Sequence, residues 1–226
     1  MTVLASDFDR MKAARLAGLL YLAIIMLGIW SEMVVRAALV APGDAAATAA
    51  GIAAHEGLFR LGIAADSVMA LCDAALAVLL FLLLRPVNAT VALMAMAFRL
   101  IQTAILGVNL LNLQATLLAI GDGGNGTETA RRSLELHSFG YDLGLVFFGV
   151  NCLLTGWLLL RSGWLHGVFG YGLMAAGGVY LAGSYLRILA PALSSGFAPA
   201  YAVPLAAELG FCLWLLVKGL PTRRAA

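Results

Sequence analysis

Long apolar stretches alternate with short polar ones along the whole chain. Runs dominated by Leu, Ala, Val, Ile, Met and Phe cover about 15–40, 58–84, 90–119, 132–160, 165–190 and 201–219. Each is close to or beyond the roughly 20 residues that a helix needs to cross the hydrocarbon of a bilayer. The runs are continuous rather than alternating, which argues against a transmembrane β-barrel. The breaks between them have turn chemistry. "APGDAAATAAGIAAHEG" is small and polar, with Asp44 and Thr48 suited to turn or cap roles. "RPVN" predicts a tight turn, because Pro86 disfavours helix at Arg85. "GDGGNGTET" reads as a flexible loop, "RSGWLHG" as a short link, and "PALSSGFAP" as a break with two prolines and a glycine. The pattern predicts an all-α, polytopic membrane protein. It is one six-helix transmembrane bundle over 15–219, between an N-terminal segment (1–14) and a tail (220–226).

Composition supports that class. Of 226 residues, 62% are hydrophobic and 12% charged, with a mean hydropathy of +0.96, whereas soluble domains are about a quarter charged. The net charge of +2 gives no argument for nucleic acid. Cys72, Cys152 and Cys212 all fall in apolar runs with no CxxC spacing, so they read as small buried hydrophobes. The first run is longer than a signal-peptide core and reads as a retained span. Lys and Arg set the orientation. If the N-terminus is inside, the inner face holds Arg10, Lys12, Arg15, Arg85, Arg161, Lys218, Arg223 and Arg224, against Arg131 and Arg132 outside. This bias predicts both termini in the cytoplasm.

The exceptions inside the spans carry the functional signal. An ionisable side chain in a span costs about 2.5–3.5 kcal/mol on insertion scales, so each needs a partner or a wet cavity. Glu32 and Arg36 are four apart in the favourable order for an intrahelical pair. Asp66 and Asp73 are seven apart and share a face; with Arg60 they are expected to look inward. Arg99 lies at mid-depth and is placed to pair with Asp73, while Gln102, Asn109 and Asn112 climb the third span. The fourth span carries His137 and Asp142, the fifth Tyr180, Ser184 and Arg187, and the sixth Glu208. Glu32, Arg36, Arg60, Asp66, Asn109, Asn112, His137, Asp142, Arg187 and Glu208 all map to the outer half of the bundle. That one-sidedness predicts a shared polar pocket or charge network, although mutual neutralisation between helices would use the same residues.

Five runs, "ARLAGLLYLAIIMLGIW", "PGDAAATAAGIAAHEGLFRLGIAAD", "LLLRPVNATVALMAMAFRLIQTAILGVNLLN", "LRSGWLHGVFGYGLMAAGGVYLAGSY" and "AELGFCLWLLVKG", together resemble a bacterial membrane family known as domain of unknown function 4386. The resemblance extends from about Arg15 to Gly219. It implies a compact six-span inner-membrane protein in one domain, and it brings no substrate and no catalytic residues. His166 departs from it, since the family often has proline there.

Several chemistries fit poorly. His55, His137 and His166 lie at different depths, which disfavours a zinc centre and bis-His haem. No HExxH is present, and "GDGGNG" lacks the Lys and Ser/Thr of a phosphate loop. No cofactor or metal is therefore expected. The leading reading is a binder or carrier of a small or lipid-like ligand in an outward-facing pocket of Glu32, Arg36, Arg60, Asp66, Arg99, Asn109, Asn112, His137, Asp142, Arg187 and Glu208. A membrane-embedded hydrolase or transferase using carboxylate–His137 chemistry is the alternative, and an assembly partner a third. The expected partners are the bilayer and an amphiphilic ligand. Homo-oligomerisation stays open.

Overall fold

The computed structural model describes residues 7–121 and 126–219. Residues 122–125 of the glycine-rich link, and Arg223 and Arg224 in the tail, lie outside the described residues. Among the described residues there are helices and no strands. Six helical stretches are long and apolar enough to cross a membrane. The first is a continuous rod of α1 (Asp7–Ile29), a π-helical turn (Trp30–Arg36) and α2 (Ala37–Leu39). The next four are α4 (Glu56–Leu84), α5 (Ala89–Gly121), α6 (Gly126–Ser162) and α7 (Gly167–Leu189), after the short α3 (Ala45–Ala54). The last combines α8 (Pro191–Phe197), a 3-10 turn (Ala198–Tyr201) and α9 (Ala202–Val217).

Three connections are more helical than their composition predicts. The Ala-rich stretch after Asp44 forms α3, because Ala is the best helix former and the Asp44 carboxylate caps it by accepting from the Ala47 N–H at 2.8 Å. α6 starts at Gly126 rather than near 132. Its first turns are laced by ion pairs at helical spacing, Arg131 and Arg132 each to Glu128 at 2.6 and 2.9 Å and Arg131 also to Glu135. Pro191 opens α8 from a first-turn position, where its missing N–H costs nothing. The "RPVN" turn forms as predicted: α4 ends at Leu84, and the Asn88 side chain accepts from the Val91 N–H at 3.0 Å to start α5.

Each spanning helix packs on its neighbour in sequence: α1 on α4, then α5, α6, α7 and α9, and α9 returns to α1. The result is a ring closed by its first and last spans. One end carries α3 and α8, and the other the turns after α4 and α6. The latter half is filled by side chains such as Tyr21, Leu80, Leu83, Leu158, Leu173 and Phe211. Outward-pointing apolar residues such as Leu71 and Leu189, 72% and 78% exposed, form the lipid-facing surface.

The α6–α7 contact depends on glycine. A Cβ on Gly177 would sit 2.6 Å from the Gly149 carbonyl oxygen, and one on Gly156 would sit 2.6 Å from that of Gly170. Gly149 and Gly156 are seven apart, as are Gly170 and Gly177, so two pairs mesh along one antiparallel seam, the small-residue packing that membrane helices favour. We expect Gly177→Leu to lower the Tm of the purified protein, with an overpacking cost of about 1–3 kcal/mol. Gly178→Leu, with open space at its Cβ, should leave it unchanged.

Candidate functional site

A buried polar layer crosses the middle of the ring. The guanidinium of Arg99 on α5 donates from Nε and Nη2 to Asp73 Oδ1 of α4 at 2.9 and 2.5 Å. The other oxygen of Asp73 accepts from Thr103, one turn above Arg99, at 2.5 Å. The Arg99 guanidinium also lies over two rings, its Cζ 5.1 Å from the Tyr21 centroid and 5.0 Å from that of Phe148. The Tyr21 hydroxyl donates to Glu208 Oε2 at 2.8 Å, and that of Tyr180 to Oε1 at 2.5 Å. All six spans therefore meet in one layer: Tyr21 from α1, Asp73 from α4, Arg99 from α5, Phe148 from α6, Tyr180 from α7 and Glu208 from α9. The guanidinium is 2% exposed and carries its own carboxylate, as a charge in hydrocarbon requires.

Toward the α3/α8 end are two further ion pairs. Arg36 bridges Glu32, at 2.7 Å, and Asp66 of α4, at 2.5 Å. The π-helical turn holds this bridge, with the Ala37 N–H reaching back five residues to the Glu32 carbonyl. Such a turn fits an extra residue into a helix and re-aims its side chains. It lies where α1 presses on α4: the Ser31 hydroxyl donates to the Gly62 carbonyl at 3.3 Å, and a Cβ on Gly62 would lie 3.1 Å from Val35. Across the ring, Arg187 of α7 pairs with Asp142 of α6 at 2.5 Å and donates to Ser138 at 2.6 Å. Asp142 Oδ2 makes no directed hydrogen bond, so this contact is a charge pair.

Between these groups lie two adjoining cavities. The lower, about 310 Å³, is lined by residues including Asp73, Arg99, Gln102 and Glu208. The upper, about 1040 Å³, is half open and has Arg36, Asp66, His137, Asp142 and Arg187 in its walls. Glu32, Met69, Tyr141, Leu145 and Tyr201 belong to both. These volumes span the range of small-molecule sites. Asp66 Oδ1 and Gln102 Oε1 are buried in these walls without a partner.

Eight of the residues singled out in the sequence thus line the cavities: Glu32, Arg36, Asp66, Arg99, His137, Asp142, Arg187 and Glu208. Three are placed elsewhere. Arg60 does not look inward with Asp66 and Asp73. It is exposed and pairs with Glu56 at 2.7 Å, because six residues turn a helix by about 240°, away from the face that Asp66 and Asp73 share. Asn109 donates to the His137 carbonyl at 2.8 Å, while His137 Nδ1 lies 3.3 Å from the Asn109 carbonyl. Asn112 donates to the Asn109 side chain at 2.9 Å. Asn109 thus fastens α5 to the His137 segment of α6, and Asn112 steadies the Asn109 side chain. Tyr21, Thr103 and Phe148 were not anticipated. Tyr21 did leave a trace, since Ala14, Ala17 and Tyr21 have the spacing of one helix face, and all three are buried.

The architecture is that of a multi-pass α-helical membrane protein with a polar cavity inside its ring of spans. The chain belongs to the family described as Domain of unknown function (DUF4386), whose model matches residues 16–219. An uncharacterized protein of Archaeoglobus fulgidus is 28% identical over 147 residues, covering 65% of this chain and 76% of that one. No solved structure matches the chain.

Asp73→Leu leaves the Arg99 guanidinium buried without its carboxylate, at an expected cost of about 3–5 kcal/mol. Thermal unfolding in detergent should show a large fall in Tm, and the double variant Asp73→Leu/Arg99→Met should recover most of it.

Proposed function

We propose that this protein binds a small or lipid-like ligand in the adjoining cavities and carries it between the bilayer and the α3/α8 side. The observation that carries the reading is the cavity pair itself. Charged walls surround a space large enough for a ligand, and two buried acceptors in those walls lack a donor. A network built only to neutralise charge would close on itself, since unpaired polar groups in a span are costly. Lipid access is supported by Ile29, Met33 and Leu205, which line the lower cavity and are themselves exposed on the outer surface at 43%, 67% and 50%. The basic residues at the opposite end favour an orientation in which the α3/α8 end faces the outside of a bacterial inner membrane.

His137 supports a second reading, a hydrolase or transferase. It lines the upper cavity with Asp66 and Asp142, and a backbone carbonyl can only accept, so its Nδ1–H is committed to Asn109 and Nε2 is left as the basic nitrogen. His137→Gln separates the two, because it abolishes turnover by an enzyme but leaves a carrier its ligand.

Mass spectrometry of the protein purified in mild detergent should show a stoichiometric co-purifying molecule, lost or depleted in Leu145→Trp, which fills the wall shared by both cavities. Repeated absence of any such molecule would defeat the reading. For the orientation, Ser195→Cys should react with a membrane-impermeant maleimide added to intact cells; labelling only after lysis would reverse the assignment.

A further inference from the structure

The chemistry of the cavity walls points to a class of ligand, an inference that rests on the binding reading above. Five carboxylates line the two cavities, Glu32, Asp66, Asp73, Asp142 and Glu208, against three guanidinium groups, Arg36, Arg99 and Arg187. Each guanidinium already has a carboxylate partner. The Glu208 carboxylate, by contrast, meets two tyrosine hydroxyls and no cation at hydrogen-bond distance among the described residues.

The unpartnered atoms agree in sign. Among the described residues, the buried side-chain atoms of the cavity walls with neither a hydrogen bond nor an ion pair are Asp66 Oδ1 and Gln102 Oε1. Both are acceptors, and Asp66 and Gln102 are 4% and 7% exposed. A buried acceptor calls for an N–H or O–H donor. Aromatic faces stand beside them: the Tyr180 ring lies 5.3 Å from Phe148 and 6.1 Å from Tyr201, and all three line the lower cavity with Tyr141. Aromatic walls next to carboxylates are the usual way to hold an organic cation. The aliphatic remainder, Ile24, Ile25, Met69 and Leu106, accommodates a hydrocarbon tail.

We infer that the ligand is a protonated amine on an apolar tail, its ammonium held by the carboxylates and unpaired acceptors of the cavity walls. Such an ammonium belongs equally to a free alkylamine and to an ethanolamine lipid headgroup. The test is titration of the full-length protein in phosphatidylcholine nanodiscs with octylamine, octanol and octanoate, read by the shift in Tm. Octylamine should bind saturably, and octanol and octanoate should not. Glu208→Gln should weaken octylamine binding by about tenfold, the loss of one charge-assisted contact of ~1.4 kcal/mol. Glu32→Gln, at an exposed rim position, should weaken it severalfold, and Glu56→Gln, outside the cavities, should not. Repeating the titration with phosphatidylethanolamine in the discs separates the sources: competition marks a headgroup, unchanged affinity a free amine. Saturable binding of octanol or octanoate at equal or higher affinity would overturn the amine inference while leaving the binding reading intact. If none of the three probes binds, both fall.

Discussion

A charge inside a bilayer has no water to return to, and the protein answers by satisfying it from every side. Arg99 has two N–H groups on Asp73 and lies over two aromatic rings. Asp73 is completed by Thr103, and Glu208 by two tyrosines. Because these partners come from all six spans, the layer does more than neutralise. It fixes the rotation of each helix about its own axis: turning α1, α4, α5, α7 or α9 away leaves a buried polar group unpaired, and turning α6 away takes the Phe148 ring from Arg99. Apolar contacts discriminate weakly between rotations in lipid, where tails solvate a leucine as well as another helix does.

The cavities follow from that constraint. The half of the ring with the turns after α4 and α6 is packed with Leu, Phe and Ala, and α6 and α7 mesh through glycine there. Above the polar layer opposite walls are each tied by an ion pair between neighbouring helices, Arg36 with Asp66 on one and Arg187 with Asp142 on the other. Charged side chains project their heads from the helix and leave space between them, and the π-helical turn aims one such head into that space. Firm packing below and polar walls above make a vessel closed at one end.

Much of this was legible in the sequence. The six spans, the "RPVN" turn, the Asp44 cap and the Asp73–Arg99 pair all rest on local rules: length, proline geometry, capping and depth along a helix. What was not legible depends on context. Arg60 lies beside Asp66 in the text, but helical rotation turns it outward. Asn109 has the polarity of a pocket residue, yet it is spent on holding the His137 segment. The π-helical turn has no proline and no composition of its own; it lies where the first span packs on Gly62. Tyr21 is an ordinary aromatic in an apolar run until Glu208 stands opposite it, and the two are most of the chain apart.

That separation bears on how the protein is made. Spans enter the membrane in order, and α9, which brings Glu208 and closes the ring against α1, follows the other five. Until it docks, the hydroxyls of Tyr21 and Tyr180 lack their acceptor and the lower cavity lacks the wall that Leu205 and Glu208 supply. The polar interior of the ring is therefore assembled early and sealed late, by a helix that must find its partner across the whole bundle.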